Sequence, residues 1–520
     1  MKMDTQVLDE RVILEAPRGP PAWTVVSGNG LCVRGRGAAV HDVACGDLRI
    51  NALRVSPHEA GMFQLVLRVR SGAKVVRVVP LLGLRARAAA APADGAVRWR
   101  VHDGALAVEV ALVLDDAAAR WAWLVRVANR GAEAVEWDVL YAQDLGLAPP
   151  ATLRINEAYA AHYVDHTVLE TAAGPVLLSR QNQPQAGERF PWMLQGCQPG
   201  AASYATDGLQ VLGLGFRATG EPEAWRAAHL PSRVMQYEMG CGALVSMAQR
   251  LAAGDHGEAR FFAEFVPHHP SASGVSDARR VAAAAQWAAS TAWPGRPCVE
   301  GPPPEAGRFE GPLLAGEPLD EAALRARWGG PWRHEERRDG ALLSFFTESG
   351  AHVVLGAKER RVERPHGHIL VCGDPPGPEA EPLCSTVYAM GVFHSHVTRG
   401  NPNLHRLLSV VRHPLNLQRS SGLRLFVDWD GAWRQLGIPS AFGMHARAAE
   451  WVYRFGGITL EVRSSAAAAS RELTFTARVL EGPPLSMRAT LELDVDGARP
   501  YRAMARGCGV LCCPLVTGEE

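Results

Sequence analysis

Side chains with the chemistry for binding a sugar are concentrated between residues 155 and 216. Amides, carboxylates and basic groups alternate there with aromatic rings, in segments 156–159, 162–166, 178–185, 190–192 and 204–208. Planar polar groups pair with the hydroxyls of a sugar, and an aromatic ring packs against its apolar face. The stretch therefore indicates a carbohydrate-contacting segment, although the same side chains could equally satisfy one another within strands and turns.

Histidines are the other residues whose spacing could serve chemistry. The pairs are His162 with His166, His366 with His368, and His394 with His396. No glutamate follows His162 as it would in an HExxH motif, and such pairs more often belong to surface or hydrogen-bond networks. The ten cysteines form no CxxC pair, and the cluster at 508–513 contains adjacent cysteines that suit tetrahedral ligation poorly. We expect neither a metal nor another cofactor.

No short motif assigns a catalytic residue. Residues 356–359 lack the glycine-rich cradle of a P-loop, and neither a GxSxG elbow nor a Cys/His nucleophile pattern occurs. Paired carboxylates of glycoside-cleaving enzymes come from distant loops, so their spacing in the sequence does not reveal them.

Composition bounds the class of protein. Lys and Arg total 54 and Asp and Glu also total 54 among 520 residues, so no charge excess favours nucleic acid or an anionic membrane as partner. Hydrophobic residues make up 47%, enough for more than one sizeable core. Residues 1–21 lack the apolar core of a signal peptide, and no apolar run reaches transmembrane length. With scattered cysteines, this composition favours a cytoplasmic protein.

The elements that position the polar stretch are predicted to be strands. After a tail over 1–21, short apolar runs of period two recur through 22–270 and predict a first antiparallel β-sandwich. Residues 271–330 combine a helix near 275–289, a Pro- and Gly-rich linker over 294–318 and a short helix over 319–328. Residues 331–520 predict a second sandwich. Residues 208–214 are expected to form a strand, and 403–416 a helix.

Several longer motifs keep a common order along the chain. They occupy 156–159, 163–166, 179–183, 204–208, 345–348, 357–359, 364–370, 400–402 and 407–410. In these motifs the sequence resembles the glycoside hydrolase family 94 phosphorylases, closest to the 1,2-β-oligoglucan phosphorylases and the phosphorylase-like region of cyclic β-1,2-glucan synthases. The resemblance implies supersandwich-like units followed by an α/α-toroid that holds the general acid and most of the phosphate site. It also implies inverting phosphorolysis with inorganic phosphate as co-substrate.

The sequence departs from this family in one respect. No run of amphipathic helices follows the second sandwich before Glu520, so a toroid is not expected within it. We therefore expect an N-terminal, non-catalytic portion of such an enzyme, inactive alone. Its expected partners are a β-glucan oligosaccharide, a missing or separately encoded toroid and, from the family, a second copy. The alternatives are a freestanding carbohydrate-binding module or an assembly subunit of a split enzyme.

Five residues of the polar stretch are the candidates for sugar binding or domain docking. They are Asp165, His166, Arg180, Asn182 and Trp192. If they form a docking or glucan-binding face, Arg180→Ala weakens assembly or glucan affinity. The alternative is that they hold long loops of the sandwich in place.

Overall fold

The computed structural model describes residues 22–53, 62–86, 88–93, 95–236, 239–295, 309–373, 382–399, 406–408, 419–491, 501–506 and 509–514. The predicted tail and most of the predicted linker lie outside these residues. Within them the fold is mainly β, built from antiparallel sheets with one parallel strand pair, as the period-two pattern predicts. No helical toroid is present in this part of the chain.

Among its described residues the first unit has eighteen strands and four α-helices. Its strands are β1 (Ala22–Val26), β2 (Leu31–Arg36), β3 (Ala39–Cys45), β4 (Leu48–Arg49), β5 (Gln64–Ser71), β6 (Lys74–Pro80), β7 (Ala91–Ala93), β8 (Ala96–Asp103), β9 (Leu106–Leu114), β10 (Arg120–Asn129), β11 (Val135–Asp144), β12 (Val164–Thr171), β13 (Gly174–Gln181), β14 (Trp192–Gln198), β15 (Ala201–Asp207), β16 (Gly240–Ser246), β17 (Gln249–Leu251) and β18 (His256–Val266). Its helices are α1 (Pro150–His162), α2 (Gly208–Leu212), α3 (Phe216–Thr219) and α4 (Ala278–Ser290).

Two large sheets of the first unit pack face to face. One has the order β12-β13-β14-β18-β10-β9-β8-β7. The other has six strands, in the order β15-β16-β11-β5-β6 with β17 also paired to β11, and a four-stranded sheet β1-β2-β3-β4 accompanies them. Alternate residues of each strand point into the shared core, where Tyr141 of one sheet meets Phe261 of the other at 5.3 Å between ring centroids. Burial of this apolar surface is the main stabilising contribution to the unit.

Helix α4 covers the outer face of the eight-stranded sheet, and its position confirms the helix predicted near 275–289. Val281, Ala284 and Ala288 lie at helical spacing and are buried against the sheet. The buried Glu264 holds the helix through Arg280 and also accepts from Arg120 Nε at 2.5 Å. The helix is therefore attached by both apolar packing and a buried charge network.

In the part of the second unit that the structure describes, there are fifteen strands and two α-helices. Its strands are β19 (Leu313–Leu314), β20 (Arg333–Arg338), β21 (Ala341–Phe346), β22 (His352–Leu355), β23 (Gly367–Val371), β24 (Leu383–Tyr388), β25 (Val392–Arg399), β26 (Arg406–Leu408), β27 (Leu423–Trp429), β28 (Ala432–Leu436), β29 (Ala441–His445), β30 (Ala448–Phe455), β31 (Ile458–Ala466), β32 (Leu473–Glu481) and β33 (Met487–Leu491). Its helices are α5 (Glu321–Trp328) and α6 (Gly356–Glu359), and a separate hairpin follows with β34 (Tyr501–Arg506) and β35 (Gly509–Pro514).

A second pair of stacked sheets forms this unit. One follows the order β20-β21-β22-β29-β30-β31-β32, and the other is built on β19-β28-β27-β25-β24-β23. Their shared core includes Phe393 and Trp451, whose ring centroids are 4.9 Å apart. Helix α5 begins after Asp320, whose side chain accepts from the Ala323 amide at 2.8 Å, and ends at Gly329. This confirms the short helix predicted over 319–328.

Two predicted elements are wrong where the structure describes them. Residues 208–214 were expected to form a strand, but 208–212 form helix α2. The reason is a capping box: the Asp207 carboxylate accepts from the Leu209 amide, and the Gln210 side chain accepts from the Asp207 amide. Within the helix expected over 403–416, the described residues 406–408 form strand β26 against β25. In both places hydrogen bonds to neighbouring groups outweigh the local apolar pattern.

Helix α3 of the first unit docks into the second unit. Arg217 donates to the Glu363 carbonyl at 2.6 Å, to the Glu359 carbonyl at 3.2 Å and to the Val362 carbonyl. Ala218 packs against a small apolar cluster of the second unit made of Met390, Val392 and Ile438. The two units are thus joined by a buried polar contact as well as by the connecting chain.

Among the described residues no helix combines the length and apolarity required to cross a membrane.

Candidate functional site

The polar stretch begins in helix α1 and continues through the hairpin β12–β13 into β14. Strand register places Asp165 opposite Arg180, and Arg180 opposite Trp192. Because directly paired residues share one face of a sheet, these three predicted residues form a row across neighbouring strands. Asn182 follows two positions after Arg180 and is exposed. The structure thus brings four of the five predicted residues together.

Arg180 is buried and contacts the segment that follows β18. Its guanidinium donates to the carbonyls of His269 at 2.9 Å and Pro270 at 3.1 Å, and to Asn182 Oδ1. The same group lies 4.2 Å from the centroid of the Phe190 ring. Arg180 therefore ties the segment that follows β18 to the hairpin, and its predicted role in sugar or partner binding stays a prediction.

Trp192 holds the same segment. Its ring is fully buried and stacks on the His269 imidazole at 4.8 Å, and its Nε1 donates to Ser273 Oγ at 2.9 Å. His269 in turn lies 2.8 Å from Asp277 Oδ1, at the start of α4. Residues 268–273 thus partly cover the row formed by Asp165, Arg180 and Trp192. The same residues fix where α4 begins.

His166 lies on the opposite face of the hairpin, inside the sandwich. Its Nδ1 is 2.9 Å from Ser179 Oγ, and its Nε2 is buried without a hydrogen-bond partner among the described residues. Burial lowers the pKa of His166 to about 4, so the imidazole is neutral at physiological pH. A sugar on the outer surface does not reach this side chain.

The burial of His166 predicts a pH dependence of stability. The unfolded chain protonates this imidazole near pH 6.5, whereas the folded chain resists protonation down to about pH 4. Stability therefore falls as pH drops from 6.5 to 4, with a slope contribution of up to about 1.4 kcal/mol per pH unit. Chemical denaturation of the wild type and His166→Asn across this range should show a shallower slope in the variant.

His41 remains in that variant, and burial lowers the pKa of His41 to about 4 as well. The slope of stability against pH is therefore reduced and not abolished. The matched control is His162→Asn, which replaces an exposed histidine at the end of α1 and leaves the buried His166 in place. Equal slopes for wild type and His166→Asn would contradict the assignment.

The outward-facing part of the stretch is a pair of tyrosines that belong to the matching motifs 156–159 and 163–166 but not to the five candidate residues. Tyr159 and Tyr163 are 45% and 36% exposed, their ring centroids are 5.0 Å apart, and their hydroxyls are 3.1 Å apart. The backbone amide of Asn182 donates to the Tyr163 carbonyl at 2.7 Å, so Asn182 adjoins the pair through its main chain. We call Tyr159, Tyr163 and Asn182 the tyrosine surface.

The tyrosine surface has the composition that a sugar requires. Two aromatic rings offer apolar faces and edges, while two hydroxyls and an amide offer donors and acceptors. The signal in the sequence was the spacing of Tyr159 and Tyr163 by four residues, which places them on one side of a helical turn. It was missed because the stretch was expected to form only strands and turns.

Three histidines of the two remaining pairs make local contacts, and the side chain of His396 lies outside the described residues. His366 Nδ1 lies 2.7 Å from Glu359 Oε2, His368 Nε2 donates to the His445 carbonyl at 2.7 Å, and His394 Nδ1 lies 3.0 Å from Ser385 Oγ. Within the described parts of the chain, no three His, Cys, Asp or Glu side chains converge as metal ligands would.

Comparison with protein families identifies two domains. Residues 36–263 match the family described as the SOGP N-terminal domain, and residues 331–492 match the glycoside phosphorylase supersandwich domain. A 1,2-beta-oligoglucan phosphorylase of Listeria innocua serovar 6a is 33% identical over 438 residues, which cover 84% of this chain and 38% of that protein. The chain therefore spans about two-fifths of the length of this curated relative.

Solved structures give weaker matches. A bacterial glucoamylase complexed with acarbose aligns with a TM-score of 0.32 and 9% identity, covering 54% of this chain and 36% of that chain. A putative kojibiose phosphorylase from the human microbiome aligns with a TM-score of 0.26 and 8% identity, covering 51% of this chain and 32% of that chain. Similarities at this level carry no argument about function.

Proposed function

Because residues 36–263 belong to the SOGP N-terminal domain family and residues 331–492 to the glycoside phosphorylase supersandwich domain family, we propose that this chain is part of a glucan phosphorylase. The observation that carries the proposal is the 33% identity to a 1,2-beta-oligoglucan phosphorylase across 84% of this chain. We infer β-1,2-linked oligoglucans as the substrate class and inorganic phosphate as the co-substrate.

The proposed reaction is phosphorolysis with inversion. Phosphate attacks the anomeric carbon, the glycosidic C–O bond breaks, and a general acid protonates the departing oxygen. We assign that acid to an α/α-toroid and none of the catalytic groups to this chain. The chain's own residues are proposed to bind and orient the glucan, and the tyrosine surface is the part of the predicted stretch whose exposure and chemistry support such contact.

The proposal also covers the partners and the cellular location of the protein. We propose a toroid domain as the functional partner, a second copy as a further one, and the cytoplasm as location. Six cysteines are free thiols, which supports a reducing compartment; they are Cys32, Cys45, Cys197, Cys241, Cys372 and Cys384.

A carbohydrate-binding module is the second candidate function. The observation that favours it is the exposed tyrosine surface, which offers sugar-binding chemistry without requiring a catalytic group. The two candidates differ in whether glucan binding by this chain is coupled to turnover elsewhere.

The test is to measure glucan binding and phosphate turnover with the full purified chain and β-1,2-glucooligosaccharides. We expect binding but no phosphate uptake or release. Tyr159→Ala combined with Tyr163→Ala should weaken binding about tenfold or more, which is a loss of about 1.4 kcal/mol or more of binding free energy. The control is Val275→Ala, which removes part of an apolar side chain that is 83% exposed elsewhere in the unit.

Turnover by the chain alone would overturn the non-catalytic assignment. Unchanged affinity in the double tyrosine variant would overturn the role of the tyrosine surface. Turnover that appears only after a toroid protein is added would support the phosphorylase over the isolated binding module.

A further inference from the structure

A second group of aromatic and polar side chains lies in the second unit, on strands β20 to β22 and helix α6. Strand register pairs Glu336 with Ser344, and Phe346 with His352. Lys358 and His366 complete the group from α6 and the loop after it. We call Glu336, Ser344, Phe346, His352, Lys358 and His366 the Phe346 cluster.

Phe346 is the one exposed phenylalanine among the residues that the structure describes, with 36% of its surface accessible. One face of its ring is stacked on the His352 imidazole, with centroids 4.4 Å apart and planes 5° apart. His334 meets the ring edge-on at 5.9 Å. The ring is therefore held in a fixed orientation while part of it stays accessible, which is the arrangement of a binding platform and not of a core side chain.

A charged and hydroxyl rim borders this ring. Lys358 Nζ lies 2.5 Å from Glu336 Oε2 and donates to Ser344 Oγ at 3.1 Å, and Ser344 Oγ donates to the same Glu336 oxygen at 3.0 Å. Both contacts to Glu336 use Oε2, so its Oε1 can accept from a ligand hydroxyl. Lys358 has three donor hydrogens, and these two contacts use two of them.

His366 is oriented by a buried carboxylate. Its Nδ1 lies 2.7 Å from Glu359 Oε2, and Glu359 is only 1% exposed. Because Nδ1 is occupied, Nε2 is the ring atom left for a ligand. The His352 and His366 rings are 6.3 Å apart and nearly perpendicular, at 74°. The imidazole is thus fixed without needing a metal or a substrate to position it.

The charges of the Phe346 cluster point to a neutral ligand. Lys358 and Glu336 cancel each other, and the Glu359 carboxylate lies 4.0 Å from the Arg217 guanidinium. Burial, with Lys358 and His366 nearby, lowers the pKa of His352, so its ring is uncharged at neutral pH. Within the Phe346 cluster the charges of Lys358 and Glu336 offset each other, and Arg333 lies opposite Phe346 in the strand register. Fixed donors and acceptors around an aromatic ring fit a ligand that has hydroxyls and an apolar face, namely a sugar ring.

We propose that the Phe346 cluster is a second carbohydrate-binding site, which takes one glucosyl unit of a neutral glucan. The assignment rests on the proposed function, because it assumes that this chain contacts glucan. It adds a separate site in the other unit, so a long glucan would be held at two places.

The experiment is calorimetric titration of the full chain with a β-1,2-glucooligosaccharide, together with NMR of the histidine ring protons. In the wild type we expect two binding sites and a shift of the His352 signal. Phe346→Ala should weaken one site tenfold or more and abolish that shift, and Glu336→Gln should weaken the same site. Ile369→Ala is the control, since Ile369 is 62% exposed in the same unit outside the cluster.

The outcomes separate the two proposals. Absence of glucan binding by the wild type would overturn both. A second outcome is that the double tyrosine variant no longer binds glucan, while Phe346→Ala and Glu336→Gln bind like the wild type. This outcome would overturn the Phe346 site alone. A shift of the His352 signal with inorganic phosphate but not with glucan would also overturn it, because the ligand would then be an anion. Thermal unfolding of each variant checks that the fold is intact.

Discussion

Asp138→Ala is expected to lower the free energy of unfolding of the first unit by about 3–5 kcal/mol. Asp138 is 1% exposed and pairs with two buried arginines of the neighbouring strand β5. Arg68 contacts both carboxylate oxygens, at 2.6 and 2.9 Å, and Arg70 approaches one of them at 2.6 Å. Removing the carboxylate leaves two guanidinium groups buried without their counter-charge.

Arg68 and Arg70 also hold a loop against the sheet. Arg68 donates to the carbonyls of Ala224 and Ala227, and Arg70 donates to that of Ala228. Trp225 of this loop packs in an apolar cluster over the six-stranded sheet. We therefore expect Asp138→Ala to expose this loop as well. Limited proteolysis would detect the exposure as cleavage within the loop.

The matched control is Asp47→Ala. Asp47 also makes a two-point contact with an arginine, Arg189, at 2.9 and 2.5 Å, but its side chain is 59% exposed. Solvent screens such a pair, so its loss should cost no more than about 1 kcal/mol. Urea denaturation of both variants tests the difference, and equal losses would show that burial does not decide the strength of the Asp138 network.

Arg217→Met is expected to separate the two units, at a cost of about 3 kcal/mol. Arg217 is 4% exposed and supplies donors to the carbonyls of Glu359, Val362 and Glu363. Its loss leaves those carbonyls unpaired and the buried Glu359 without its nearby cation. Calorimetry of the variant should then resolve separate unfolding transitions for the two units, whereas the transitions of the wild type should lie closer together in temperature.

Arg226→Met is the control for this change. Arg226 lies in the same segment but is 60% exposed, at 3.8 Å from Glu221, so we expect an effect within about 0.5 kcal/mol. Glu359→Gln added to Arg217→Met should recover part of the loss, because the uncompensated buried charge is removed. If Arg217→Met unfolds like the wild type, the buried contact does not couple the units.

Strand content could be predicted because side-chain alternation is a local property. In β31 buried and less buried residues alternate from Ile458 to Ala466, as the period-two pattern requires. Helices α4 and α5 were also predictable, from alanine content and from Asp320 and Gly329 at the ends of α5. Helix α2 was not, since Asp207 and Gln210 set its conformation while the apolar residues suggested a strand.

The candidate site could be predicted only in part. Residues 156–208 contain the right chemistry, but the pairing of Asp165 with Arg180 and of Arg180 with Trp192 depends on strand register. Register is set by core packing and turn geometry across the whole sheet, which a single segment does not specify.

The sequence by itself determined the chemical types available to this protein: strands in two units, balanced charge, and polar and aromatic groups suited to a sugar. Only the tertiary structure decided where those groups point. It turns Arg180 toward residues 269 and 270 and His166 into the core, and it leaves Tyr159 and Tyr163 outside. The physical reason is that burial and hydrogen-bond partners come from residues distant in the chain, so exposure is a property of the packed fold and not of residue type.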